Sequence, residues 1–409
     1  MKKQIAGLLL ILFPTLSLLA QQPAGNPLTS ASSGYIDVDG GKIYYEAAGA
    51  GECIVLLHDG MLHNEVWDAQ FPLLAKDYRV VRYDRRGYGK SSAPKAPFSN
   101  IEDMNQLFLQ LKIDKATVFG MSAGGGLAID FTLKYPEKVA ALVLVGAVVG
   151  GYGYSSHFIT RGGHFNYADY DPSGDPVKLI HYFGIEDPYT IFSENTKAKE
   201  KYLKLLEANP QNVNFDLQRF SKPAERAAAR FLSEINVPAL IIVGEYDIPD
   251  VHAHSGVIEM GIPDSRRVII SKAGHLVPLE QPDAFNAAVL KFIYNLKFKA
   301  ILKSEGVGAA VKYCRATLEA VPGIVIFEKK EIHQLAYEYL AKSNMKEAID
   351  MCLLYTLEYP RSEYAYAMLG EAYLNNGQKD SAIAGYRKSL ELNPHYAKSR
   401  EMLEKLEKK

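Results

Sequence analysis

The chain has 409 residues, 48% of them hydrophobic, with a formal net charge of −1. That length allows more than one domain with a sizeable core, and the near-neutral balance, without a basic patch, excludes an electrostatic footprint for nucleic acid. Three scattered cysteines, Cys53, Cys314 and Cys352, exclude a disulfide framework, and no His/Cys cluster has metal-ligand spacing.

Met1-Lys2-Lys3 and the apolar run from Ile5 to Ala20 have the pattern of a secretory signal peptide over residues 1–20. The apolar core is short for a bilayer span, and an uncleaved N-terminal anchor is the alternative. The protein is therefore expected to be periplasmic or secreted, with no membrane span once the signal is removed. Residues 21–33 read as an unstructured spacer.

Eight strands follow: Tyr35–Val38, Lys42–Glu46, Ile54–Leu57, Arg79–Tyr83, Ala116–Phe119, Ala141–Val145, Ala239–Val243 and Arg267–Ile270. Asp39-Gly40-Gly41 joins the first two as a hairpin. The later ones are mostly uninterrupted apolar runs between helical patterns, as a parallel sheet covered on both faces requires. The rhythm stops between Val149 and Phe231, where an aromatic-rich insertion reads as a helical cap over about residues 150–231. Its rings, Phe165, Tyr167 and Tyr170 among them, are expected to form the cap's own core. None is nominated as a substrate contact. His157, His164, His252 and His254 are expected to be solvated loop residues.

The chemistry concentrates at strand ends. Gly120-Met121-Ser122-Ala123-Gly124 follows an apolar strand and opens a helical pattern, which is the nucleophile elbow. A turn this tight excludes side chains at Gly120 and Gly124 and pushes Ser122 outward, while the helix N-terminus can stabilise developing negative charge. Downstream, Asp247 and His275 lie in loops at strand C-termini, completing the chain order Ser, Asp, His. A serine hydroxyl attacks only when an imidazole takes its proton, and a carboxylate must fix the imidazole's tautomer. Glu245 and Asp250 are the nearby rivals of Asp247. The loop His58-Asp59-Gly60 after the third strand supplies an oxyanion hole, with Gly60 and Ala123 as the backbone donors. Asp59 stands where a glycine is usual, and its carboxylate is expected to point away. His58, Asp84 and Arg86 are assigned to bracing their turns, and Ser91 to none of the chemistry.

Residues 34–296 thus resemble the α/β-hydrolase superfamily in its esterase, lactonase and non-haem-peroxidase-like branch. The resemblance rests on the elbow, Leu56–Gly60, Arg82–Ser91, Val243–Asp247 and Ala273-Gly274-His275, five motifs in one order. It implies an α/β fold with an eight-stranded mostly parallel sheet, helices on both faces and a helical cap. It also implies a serine hydrolase without a cofactor. The superfamily's dehalogenases and epoxide hydrolases use an Asp nucleophile, and Ser122 argues against both.

The C-terminal part repeats itself. Leu335, Ala336, Tyr339, Ala348, Cys352 and Pro360 are followed by Leu369, Gly370, Tyr373, Ala382, Tyr386 and Pro394 at the tetratricopeptide period. Residues 300–409 therefore resemble a short all-α tetratricopeptide array, either a structural appendage or a surface for a protein partner or self-association. Two good copies are fewer than such arrays need alone, so this one is expected to lean on the hydrolase domain or another protomer.

The leading reading is a hydrolase that cleaves a carboxylic ester or lactone of a small molecule through an acyl-enzyme. Aminopeptidase or amidase action on the same scaffold, a perhydrolase, and a protein-interaction module with a vestigial hydrolase domain are the alternatives.

Overall fold

The computed structural model describes residues 31–161, 176–213, 220–342 and 344–408. The signal-peptide segment, Phe165, Tyr167, Tyr170 and His164 lie outside them.

All eight expected strands form: β1 Ser32–Val38, β2 Gly41–Ala48, β3 Cys53–Leu57, β4 Arg79–Tyr83, β5 Ala116–Met121, β6 Val139–Val145, β7 Ala239–Gly244 and β8 Ser265–Ile270. The first begins at Ser32, two residues inside the expected spacer. They make one sheet of order β1-β2-β4-β3-β5-β6-β7-β8. The hairpin β1–β2 and the β2–β4 pair are antiparallel, and the remaining pairs are parallel.

Alternation along the strands feeds two cores. Ile54, Leu56, Val80, Phe119, Val143 and Ile242 face the C-terminal helix and the cap, where Trp67, Phe285 and Tyr202 complete the packing. Val55, Leu57, Val81, Val118, Leu144 and Ile241 face the opposite layer, against Leu107, Leu127, Phe131 and Ile258. Both faces of the central strands are dry, as continuous apolar runs demand. The reversal of strand order between β3 and β5 puts the sheet's crevice at their C-terminal ends, where open α/β folds hold their ligands.

The expected junction at residues 296–300 falls inside one helix, Pro282–Glu305. Its first half covers the sheet through Phe285 and Val289, and its second half supplies Tyr294 and Phe298 to the next core. Gly306, with φ 86°, ends it. The following helices are Val307–Ala320, Lys329–Ala341, Met345–Glu358, Glu363–Asn375, Lys379–Leu392 and Ala397–Glu407. The starts at Lys329, Glu363 and Ala397 recur at a spacing of about 34 residues, and so do those at Met345 and Lys379. Cys314 and Cys352 are buried in this core, as small hydrophobes. Among the described residues no helix is long and apolar enough to cross a membrane.

Candidate active site

β5 runs into the helix Ala123–Lys134 through Ser122, whose backbone takes φ 53° and ψ −116°. A non-glycine residue held there costs energy, and the turn persists because its surroundings fix it. The Ser122 N–H donates to Val145 O at 2.8 Å, and its carbonyl accepts from Gly125 N at 2.9 Å. The flanking glycines are needed for space. A Cβ on Gly120 would lie against the Gly124 carbonyl oxygen and 2.7 Å from Gly125 Cα, and one on Gly124 would lie 2.9 Å from Leu57 O.

Asp247 follows β7 and His275 follows β8. The Asp247 side chain is fully buried, and His275 is 19% exposed. His275 Nδ1 lies 3.0 Å from Asp247 Oδ1 and 2.9 Å from Oδ2. A carboxylate there holds the proton on Nδ1 and leaves Nε2 as the basic nitrogen. Burial pushes the imidazole's pKa down, but the charge and hydrogen bond of Asp247, with a further contribution from Asp59, bring it above its ordinary value. The two rivals serve elsewhere. Glu245 accepts from Lys272 N, and Asp250 accepts from Ser155 N and Oγ.

The His275 loop is tied to the cap. His275 N donates to Tyr189 O at 3.0 Å, while the Glu280 carboxylate accepts from Gly274 N at 2.9 Å and Phe192 N at 2.7 Å. Burial raises the Glu280 pKa to about 7 against the lowering effect of these N–H groups. Sequence reasoning missed Glu280, because its role rests on a contact across 88 residues.

Gly60 and Ala123 adjoin. A Cβ built on Gly60 would lie 3.7 Å from that of Ala123. Asp59 is only partly turned away. Its Oδ1 accepts from Met61 N and from Leu62 N at 2.9 Å, but the residue also lines the cavity beside Ser122, and its charge reaches His275. Oδ2 is buried without a hydrogen-bond partner among the described residues. His58 is neutral in character, because burial drives its pKa well down, and its Nε2 accepts from Arg85 N at 2.9 Å. Asp84 holds Asn64 and Lys90, Arg86 forks onto Asp103, and Ser91 Oγ donates to Asp84 O.

Ser122, Ala123, Gly60, Asp247 and His275 line one cavity of about 350 Å³. The cap contributes Tyr154, Phe158 and Tyr189 to its wall, along with Arg161. A larger cavity of about 420 Å³, beside Asp130 and Arg226, holds none of the five. His254 departs from expectation. It is fully buried, and its Nδ1 accepts from Val149 N at 3.0 Å, bracing the chain after β6. Two adjacent acids of the cap differ in the same way. Asp187 is buried with its carboxylate on Tyr189 N and Thr190 Oγ1, whereas Glu186 is exposed beside His181.

A family model described as alpha/beta hydrolase fold matches residues 54–175. A 2-hydroxy-6-oxononadienedioate/2-hydroxy-6-oxononatrienedioate hydrolase of Klebsiella pneumoniae is 31% identical over 292 residues, covering 64% of this chain and 96% of the relative. A 2-hydroxy-6-oxo-6-phenylhexa-2,4-dienoate hydrolase of Comamonas testosteroni is 27% identical over 287 residues, covering 66% and 97%. Among solved structures, Est816, described as an N-acyl homoserine lactone degrading enzyme, superposes with a TM-score of 0.54 at 26% identity, covering 63% of this chain and all of that one. A thermophilic esterase from Thermogutta terrifontis gives 0.53 at 25% identity, covering 65% and 99%. The chain belongs to the α/β-hydrolase-fold family, and its homologues are hydrolases.

Proposed function

We propose that this protein is a serine hydrolase acting on a carboxylic ester or lactone of a small molecule. The observation that carries the reading is Ser122 on a positive-φ strand-to-helix turn, in the same cavity as the hydrogen-bonded pair His275–Asp247. In this reading Ser122 Oγ attacks the carbonyl carbon while His275 Nε2 takes its proton and Asp247 steadies the imidazolium. The N–H groups of Gly60 and Ala123 hold the oxyanion of the tetrahedral intermediate. Its collapse breaks the carbon–oxygen bond, and His275 returns the proton to the leaving alkoxide. Water, deprotonated by His275, then attacks the acyl-enzyme and releases acid and free Ser122.

Likeness to Est816 and to the Thermogutta terrifontis esterase supports the ester or lactone. A second reading, hydrolysis of a carbon–carbon bond next to a ketone, is favoured by the names of the curated relatives. Amide cleavage from a free amino terminus is less supported, since the buried Asp187 spends its oxygens on the cap turn. Profiling the purified protein on esters, lactones, aminoacyl amides and vinylogous 1,5-diketones tests the choice. Turnover of esters or lactones is expected, and preference for the diketone would move the assignment to the second reading.

The same proposal places the mature protein in the periplasm or outside the cell, on the strength of Met1-Lys2-Lys3 and the run from Ile5 to Ala20. It reads the C-terminal helices as tetratricopeptide repeats offering a surface to a protein partner or a second copy. The equal spacing of helix starts supports that reading. Fractionation of expressing cells tests the first point: recovery of full-length precursor in the cytosol alone would contradict it.

A further inference from the structure

Among the described residues, two carboxylates line the cavity beside Ser122, and their oxygens are used differently. Asp247 turns both oxygens to His275 Nδ1, at 3.0 and 2.9 Å, and its Oδ1 also accepts from Ile248 N at 2.8 Å. Asp59 is 3% exposed and uses one oxygen, Oδ1, which accepts from Met61 N and Leu62 N. Its Oδ2 is buried with no hydrogen-bond partner among the described residues. A buried acceptor left unmet costs free energy, the more so when it carries charge. Such groups are rare in folded proteins, and each one calls for a partner or a task.

The free oxygen is also held in place. The two N–H groups on Oδ1 fix the rotation of the carboxylate, and the Asp59 carbonyl accepts from Arg85 Nη2 and, at 2.8 Å, from His58 Nδ1. Tyr88 Oη donates to Gly60 O at 3.0 Å, fastening the next residue. The oxyanion loop therefore carries a rigid acceptor one residue before Gly60, and consecutive Cα atoms stand about 3.8 Å apart. Its charge is felt at the catalytic centre, where it favours the imidazolium of His275. The glycine usual at this position has no such acceptor.

We propose that Asp59 Oδ2 receives a hydroxyl or ammonium group on the carbon next to the scissile carbonyl, so that the preferred ester or lactone is 2-hydroxy- or 2-amino-substituted. This deepens the acyl-transfer reading and rests on it. Both groups supply the O–H or N–H donor that the oxygen lacks. A hydrogen bond to an ionised acceptor is stronger than a neutral one, and a site built around a donor rejects the isostere without it. Asp59 acts in binding and takes no part in proton transfer.

The test sets phenyl lactate and phenyl alaninate, the second with its amine protonated, against phenyl isobutyrate, which puts a methyl in the same place. All three are measured on the full chain as wild type, Asp59→Asn and Asp59→Gly. Intrinsic ester reactivity cancels between proteins, and so does any shift in His275 titration, which moves the three esters alike. The kcat/KM preference for a donor ester over isobutyrate should be at least about tenfold greater in wild type than in Asp59→Gly. Asp59→Asn, which keeps the acceptor for Met61 N and Leu62 N, should lose the ammonium preference and weaken that for hydroxyl. A change confined to lactate identifies the donor as hydroxyl, and one confined to alaninate identifies it as ammonium. Equal preferences in all three proteins overturn the proposal. So does a uniform slowing of all three esters, which would make Asp59 a brace of its loop. A second readout is independent of turnover: calorimetric binding of the same esters to Ser122→Ala, repeated with Asp59→Gly added. Tighter binding of a donor ester that disappears with Asp59→Gly supports the acceptor even if wild type cleaves none of them, in which case the acyl-transfer reading alone fails. Absent binding in Ser122→Ala, or binding indifferent to Asp59, overturns the proposal whatever the ester kinetics show.

Discussion

In the proposed reaction Asp59 puts a carboxylate beside the place where negative charge develops, so its effect runs in two directions. It opposes the oxyanion, and it stabilises the imidazolium of His275. His275 works as a base only when neutral, so activity falls as pH drops through its raised pKa. Removing the Asp59 charge lowers that pKa and extends the neutral form to lower pH. Asp59→Asn keeps the acceptor for Met61 N and Leu62 N, and it should shift the acid limb of kcat/KM to lower pH. A limb that stays put or moves upward in the pH profile would refute this. Ser122 carries a different cost. Its φ of 53° is a conformation glycine adopts without strain. Ser122→Gly is expected to abolish turnover and to raise unfolding stability by about 1 kcal/mol in urea titration. The five groups of the site were legible because each is marked by local pattern, a glycine-flanked turn or a polar residue just past an apolar strand. Arg161 was not, since nothing in its neighbours says that the short cap helix turns it into the cavity.

Elements are positioned by apolar runs and then fastened by polar contacts that no run announces. All eight strands could be read because each is a buried stretch bounded by turn residues, and the register then followed from the two-faced core. The fastening of the His275 loop could not, because Glu280 reaches across to Gly274 and to Phe192 of the cap. His254 shows the same limit: a loop histidine in sequence, it is a buried acceptor for Val149 N in the fold. Glu280→Ala leaves the buried Gly274 N–H and the half-buried Phe192 N–H without this acceptor, an expected loss of about 1–3 kcal/mol for the first and less for the second. It should also lower kcat more than it raises KM, as the imidazole loses its fixed approach. Unchanged stability and kcat would remove Glu280 from this role. Its titration has a definite sign. With the folded pKa near 7 and a lower unfolded one, the folded state binds the extra proton between them. Glu280 therefore contributes stability that declines as pH rises through that window, and Glu280→Gln should flatten that part of a Tm-against-pH curve.

Across the whole molecule, one helix belongs to both halves. Pro282–Glu305 packs Phe285 against the sheet and Phe298 against Phe327 of the array, the rings 4.7 Å apart and perpendicular. The sequence hid this union because the apolar pattern runs through residues 296–300 without a break until Gly306. The C-terminal helices are thus joined to the hydrolase half through a shared element. Phe298→Ala should cost about 3–5 kcal/mol, and loss of ester turnover should coincide with loss of helical circular dichroism on heating. Two separated transitions, with activity surviving the first, would show that the halves are independent. The account as a whole depends on one oxygen atom. A fluorophosphonate probe, with the modified peptide read by mass spectrometry, addresses it directly. Wild type should gain a single adduct on Ser122, and Ser122→Ala should gain none. Labelling that persists in Ser122→Ala, or falls on another residue of wild type, would contradict it.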